Sequence, residues 1–255
     1  MRWCFLFPAL LWAQSDLSFP SYSAESIANA AANVPAWFAP NTLVSIYGVN
    51  LAAGTAGLSP ADVQSGNLPT TLGSVRVLVN SQFANMIFVS PKQVNILIPT
   101  QLVAGPATIQ LVNASRGGPA IRVEFGESAP GLFQFGDSFV IATHGNGPLV
   151  SVDAPAQRGE VVVLYATGLG PTNPSTPANR LATSAAWIAR RSEFEVRLNG
   201  VAVAKNLIEY AGVTPGFGGL YQVNLRIPAD APNDPEVQVG TPDRMSPAGT
   251  RLRLR

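Results

Sequence analysis

Three sequence blocks occur twice, in the same order, and this duplication constrains the fold more than any other feature of the chain. Val44-Ser45-Ile46-Tyr47 returns as Val162-Val163-Leu164-Tyr165, at an offset of 118. Residues 75–80 return as 194–199 at an offset of 119, each copy closing on an Asn, Asn80 or Asn199. Gln93-Val94-Asn95-Ile96-Leu97-Ile98-Pro99 returns as Gln222-Val223-Asn224-Leu225-Arg226-Ile227-Pro228 at an offset of 129. Three ordered blocks read as two copies of one structural unit. The growth of the offset places ten extra residues in the second copy, around Gly212 to Gly219.

Each block alternates apolar and polar residues, the period of a half-buried strand. Val94, Ile96 and Ile98 share one face, as do Val223, Leu225 and Ile227, so both triplets are expected in a core. Pro99 and Pro228 cannot donate to a ladder and should end their strands. With 23 Gly and 22 Pro among 255 residues, short strands must be broken by frequent turns. The expected fold is all-β: two tandem immunoglobulin-like β-sandwiches, over 20–126 and 127–255. The second unit should begin with a hairpin built from Leu132 to Phe135 and Phe139 to Ala142, followed by a turn at His144 to Pro148. Gly126 to Ser128 has no apolar run and is expected to be a joint that few contacts cross. One segment, Arg180 to Arg191, places Leu181, Ala185 and Ile188 on a helical face, although a loop covering the sandwich suits the same residues.

The N-terminus predicts a compartment. Met1-Arg2, an apolar run from Trp3 to Trp12 and the small Ala13 have the order of a secretory signal peptide, assigned to residues 1–13. The run is shorter than the roughly 20 residues a membrane span requires. A buried N-terminal strand is the alternative reading. Cleavage after Ala13 would remove Cys4, the sole cysteine, so disulfides cannot hold the mature fold. A secreted or cell-surface location follows, without a stable membrane span.

Composition excludes several kinds of function. Sixteen basic against fifteen acidic residues leave no net field for nucleic acid. His144 is the only histidine, so a Ser-His-Asp arrangement would have to use it, with Asp137 or Asp153 as its orienting group. No Gly-x-Ser-x-Gly elbow is present, and a turn residue is the simpler reading of His144. Gly168-Leu169-Gly170 and Gly216-Phe217-Gly218-Gly219 superficially resemble phosphate loops but precede no helical pattern; turns needing positive φ explain them. Asp230, Asp234 and Glu236 lack the spacing of a calcium loop. No cofactor and no metal are expected. The remaining candidates for ligand contact are aromatic: Trp37 before the first repeated strand, Trp187 in the 180–191 segment, and Phe217 and Tyr221 flanking the extra residues. Exposed aromatics can stack on sugars or anchor a protein, but they also cap sandwich cores. The alternating end, Arg251-Leu252-Arg253-Leu254-Arg255, reads as an edge strand with Leu inward and Arg guarding the outside.

Several longer stretches carry a resemblance. Residues 26–31 (SIANAA), 43–52 (LVSIYGVNLA), 68–73 (LPTTLG), 88–99 (FVSPKQVNILIP), 129–133 (APGLF), 158–171 (RGEVVVLYATGLGP) and 216–228 (GFGGLYQVNLRIP) resemble a Solibacter-type C-terminal domain family of secreted acidobacterial proteins. The first copy is also similar to IPT/TIG-type immunoglobulin-like domains. The resemblance implies a module of exported bacterial proteins, and it brings no catalytic residue with it. The expected function is therefore a non-enzymatic structural or surface-interaction role with an extracellular protein or polysaccharide as partner. Carbohydrate binding through the loop aromatics is the alternative, and a His144-dependent hydrolase the third.

Overall fold

The computed structural model describes residues 19–35, 37–136 and 138–255. The predicted signal peptide, residues 1–13, and Asp137 lie outside the described residues. Among the described residues every regular element is a strand or a short 3-10 turn, and none is an α-helix. The segment Arg180 to Arg191 accordingly holds the strand Ala186–Ile188, not a helix. Ala186 and Trp187 of this strand pair with Val213 and Gly212 of the strand Ile208–Val213.

In the first half, Ile27–Asn29, Leu43–Tyr47, Gln93–Leu97, Asn85–Val89 and Ala56–Gly57 form one antiparallel sheet, in that order. Ile121–Phe125, Gly105–Asn113, Val75–Val79 and Gln82–Phe83 form the other. Val44, Ile46, Val94 and Ile96 of the first sheet pack against Val75, Val77, Ile109 and Leu111 of the second. That facing arrangement, with polar residues alternating outward, is an immunoglobulin-like sandwich. The second half repeats it. Val161–Thr167, Tyr221–Arg226 and Ile208–Val213 lie at the centre of a seven-stranded sheet, and Glu195–Leu198 with Val237–Thr241 centre a four-stranded one. Val162, Leu164, Val223 and Leu225 face Val196, Leu198, Val237 and Val239. The anticipated hairpin pairs Gln134–Phe135 with Phe139–Val140.

The duplication holds down to individual pairings. Val44 opposes Ile96 and Val162 opposes Leu225, so both offsets of the sequence repeat meet in one register. Even an irregularity recurs: the pairing shifts between Met86 and Phe88 in the first copy and between Ile208 and Tyr210 in the second. Met86 and Ile208 are 122 apart while Ile96 and Leu225 are 129 apart, so seven of the extra residues lie in the hairpin between these strands. The other three precede it, which refines the sequence expectation.

All six core residues expected from the third block are buried: Val94, Ile96, Ile98, Val223, Leu225 and Ile227. The two apolar clusters remain separate, one running from Tyr22 to Phe125 and the other from Leu132 to Leu254. The C-terminal segment keeps Leu252 and Leu254 inside, but it is no regular strand. It runs parallel to two other segments through single bridges, Phe139 to Arg251 and Ala156 to Leu254. No helix among the described residues is long and apolar enough to cross a membrane.

Candidate functional site

The turn Pro40 to Leu43, the strand end at Leu97 and the loop 65–68 of the first sandwich meet loops of the second. Leu68 and Leu97 are buried yet belong to neither core cluster, so it is this seam that covers them. Buried polar groups cross it in pairs. The Asn41 amide donates to the Tyr221 hydroxyl at 3.0 Å, and that hydroxyl donates to the Gly170 carbonyl at 2.6 Å. The Leu43 N–H donates to Thr167 Oγ1 at 2.9 Å, and Thr167 Oγ1 donates to the Gly219 carbonyl at 2.7 Å. The Asn29 amide reaches the Ala129 carbonyl at 2.9 Å. Farther along, Leu68 N–H bonds to Asn179 O and Leu181 N–H to Gly66 O, a backbone stitch between the halves.

Tyr221, a candidate for ligand contact from sequence, lies at the base of the seam and is among the residues around the cleft that opens along it. Its side chain is fully buried, and burial drives its phenol pKa far upward. It locks the seam from beneath the cleft. The glycine runs are equally structural: Gly168, Gly170, Gly216 and Gly219 all have positive φ. A side chain at Gly168 would collide with the Ala129 carbonyl and press on Thr42 across the seam, and one at Gly219 would collide with Leu97 across it, so close packing there requires glycine.

A cleft of about 440 Å³ opens along the seam. Asn41, Thr100, Ser175 and Thr176 supply polar groups to it, with Glu127 and Arg190 at its charged side. Arg190 gathers three carboxylates: Glu193 at 2.5 Å, Asp243 at 3.0 Å and Glu127 at 3.6 Å. Hydrogen bonding to Arg190 holds Glu193 and Asp243 below the usual carboxylate range, and the two in turn raise Arg190. Trp37 does not line this cleft; it precedes Phe38, whose carbonyl accepts from the N–H of the lining residue Gly126 at 2.8 Å. Arg244 of the second half covers one side of its indole at 4.4 Å, and Trp37 is still 47% exposed, so another side stays open.

The other aromatic candidates lie apart. Phe217 is exposed on the lengthened hairpin, beside an apolar cleft lined by Leu58, Pro60, Val63 and Leu181. Trp187 sits in the second sandwich, its ring under Arg191 at 3.6 Å and edge-on to Tyr210 at 4.9 Å. The structure therefore gathers none of the four with another around one pocket. Sequence reasoning missed Asn41, Thr167, Arg190 and Arg244, which are polar residues made special only by partners far along the chain.

His144 has a carboxylate partner, but it is Glu160, 2.9 Å from Nδ1, and not Asp153. Its Nε2 faces the Ala154 carbonyl at 3.2 Å. Among the described residues neither ring nitrogen bonds a Ser or Thr hydroxyl. Asp234 pairs with Arg253 and Glu236 accepts from Gly249 N–H, so neither points toward a shared ion. Among the described residues no group of three potential ligands could hold a metal.

No family model matches the chain, and no curated protein matches it. Among solved structures it is similar to the surface glycan-binding protein SGBP-B of a Bacteroides ovatus mixed-linkage glucan utilization locus, in complex with a mixed-linkage heptasaccharide. The identity is 12%, covering 92% of this chain and 46% of that one, with a TM-score of 0.35. PbSGBP-B, a surface glycan-binding protein from Prevotella bryantii, is 12% identical over 92% of this chain and 42% of its own, with a TM-score of 0.28. The tandem Ig repeats of Dlar are 12% identical over 94% and 96%, with a TM-score of 0.21. The chain spans less than half the length of the two glycan-binding proteins.

Proposed function

We propose that this chain is a non-catalytic interaction module of an exported protein, in which two immunoglobulin-like sandwiches present one fixed composite surface to an extracellular partner. The observation that carries this reading is the buried lock of Asn41, Tyr221 and Gly170. A free tether needs no such device. A joint that buries the Asn41 amide, the Tyr221 hydroxyl and Thr167 Oγ1 and gives each a hydrogen-bond partner holds two surfaces in one relation, which favours a partner that touches both.

A second reading, polysaccharide binding at the seam, is favoured by the position of Trp37. A half-exposed indole, one residue from the Phe38 carbonyl that bonds to Gly126 of the cleft, supplies an aromatic face. Asn41, Thr100, Ser175 and Thr176 supply hydrogen-bond partners among apolar walls of Pro40, Leu102 and Val103, and these are the two chemistries that sugars need. A glycan array on the purified protein tests it. Saturable binding that falls at least roughly tenfold in Trp37→Ala supports the sugar reading; binding indifferent to that substitution removes it. Release of product from any polymer on the array, abolished in His144→Ala, would overturn the non-catalytic reading itself.

A further inference from the structure

The segment after the strand Ala186–Ile188 divides its charges unevenly. Arg190 takes three carboxylates, whereas its neighbour Arg191 makes no ion pair among the described residues. The acidic side chains closest in sequence are each committed elsewhere. Glu193 is held by Arg190 at 2.5 Å, Glu195 by Arg197 at 2.8 Å and Glu209 by Arg226 at 2.6 Å. Lys205, on the turn Lys205–Leu207, makes no ion pair among the described residues either; its ammonium donates to the Phe194 carbonyl and keeps two further N–H groups. It acts on Glu193 only as the weakest of the influences on that carboxyl.

Arg191 and Lys205 line the same pocket, of about 500 Å³, together with Ser192 and Trp187, and no carboxylate lines it. Its floor is apolar, from Phe194, Ile208 and Ala211. The geometry is held from behind. The Tyr210 hydroxyl accepts from Ala186 N–H at 3.1 Å and lies 2.8 Å from the Val213 carbonyl, which fixes the ring that meets Trp187 edge-on. Trp187 in turn carries the Arg191 guanidinium, so that cation is positioned before any ligand arrives.

We propose that this pocket binds the carboxylate of an acidic sugar, a uronate unit within an extracellular polysaccharide. Two cations without counter-ions supply the charge. Arg191 can pair with a carboxylate through two parallel N–H groups, and Lys205 adds a point charge. The volume lies within the roughly 300–1,000 Å³ of small-ligand sites, enough to enclose a sugar ring, and the apolar floor suits the carbon face of that ring. An extended acidic peptide would need a groove along a sheet edge instead. The proposal rests on the chain being a binding module but not on the seam cleft, which shares no lining residue with this pocket.

Calorimetric titration of the full chain with a galacturonate tetramer tests it, beside the methyl-esterified tetramer and poly-glutamate. The expected result is saturable binding of the acidic tetramer, at least roughly tenfold weaker in Arg191→Gln and in Lys205→Gln and weaker at high salt. The ester, which keeps the rings and loses the charge, should bind at least roughly tenfold more weakly than the acid. Equal affinity for acid and ester overturns the proposal, as does poly-glutamate binding with the same dependence on Arg191. Arg191 is exposed, so Arg191→Gln reports on binding even if Lys205→Gln loosens the Phe194 loop. Absence of binding in the folded wild-type protein also overturns it. Trp37→Ala leaves this binding unchanged, so failure here and failure of the seam reading are separable.

Discussion

At the scale of single residues, repeated side chains do repeated jobs. Gln93 donates to Asn95 at 2.9 Å and Gln222 to Asn224 at 3.0 Å, so the shared Gln-x-Asn is a same-face ladder over the outside of a strand. Asn80 and Asn199 both adopt positive φ after their strands, and each accepts a backbone N–H, of Thr108 in the strand Gly105–Asn113 and of Glu236 just before the strand Val237–Thr241. Inside the strands, Ile96→Ala and Leu225→Ala should each cost about 2–5 kcal/mol in urea melts; neutral behaviour would refute the register. Tyr221→Phe keeps the ring but leaves the Asn41 amide and Gly170 carbonyl unpaired, an expected loss of about 1–3 kcal/mol. Burial also raises the phenols of Tyr22 and Tyr221. An unfolded tyrosine ionises near pH 10, so above that point the unfolded chain releases protons the folded chain retains. Stability should therefore be intact below about pH 10 and decline as pH rises beyond it. The urea midpoint followed from pH 8 to 11 checks this, with a shallower decline in Tyr221→Phe.

At the scale of elements, the lengthened hairpin distinguishes the two copies. In the first copy the chain turns directly from Val89 toward Val94; in the second it runs from Ala211 out through Gly219 before returning at Val223. The added residues are what reach Leu43 and Leu97 across the seam. Substitutions at two glycines elsewhere, Gly168 after the strand Val161–Thr167 and Gly200 in the turn after Glu195–Leu198, should separate backbone strain from close packing. Gly168→Ala combines positive φ with a collision at Ala129 and should cost about 1–3 kcal/mol or more, read from the thermal midpoint. Gly200→Ala also sits at positive φ but meets open space, so its cost should stay near 1 kcal/mol. Equal losses at both sites would mean that close packing against Ala129 contributes nothing at Gly168.

At the scale of the whole molecule, the junction differs from its sequence expectation. Gly126 to Ser128 was expected to be sparsely contacted, yet Gly126 and Ser128 are buried and only Glu127 faces outward. Gly126 N–H bonds to Phe38 O and Ala129 N–H to Gly168 O, so the connection is held on both sides. Digestion with a glutamate-specific protease under native conditions should spare Glu127; an early cut there would mean that the seam opens in solution. The two separate cores support 20–126 and 127–255 as folding units, a division we propose. Expressed alone, each should keep its sandwich but expose seam leucines, Leu68 and Leu97 in one and Leu181 and Leu220 in the other. Self-association of the halves, measured by light scattering, is the expected outcome.

Strand type, the duplicated unit, the core triplets and the turn residues were legible in the sequence because each depends on neighbours. Alternation places a side chain on a face, and Asn or Gly at a strand end permits the turn, whatever lies elsewhere in the chain. The seam was not legible. Asn41 and Tyr221 are 180 residues apart, and no local pattern marks either as the other's partner. The same holds for the aromatics, which sequence could name but not sort. Tyr221 became a buried lock, Trp37 a half-exposed ring under Arg244 and Trp187 the support of an unpaired arginine, according to what packs over each ring. Burial and pairing are properties of the surroundings, so only the assembled tertiary structure could decide which of these residues face a ligand.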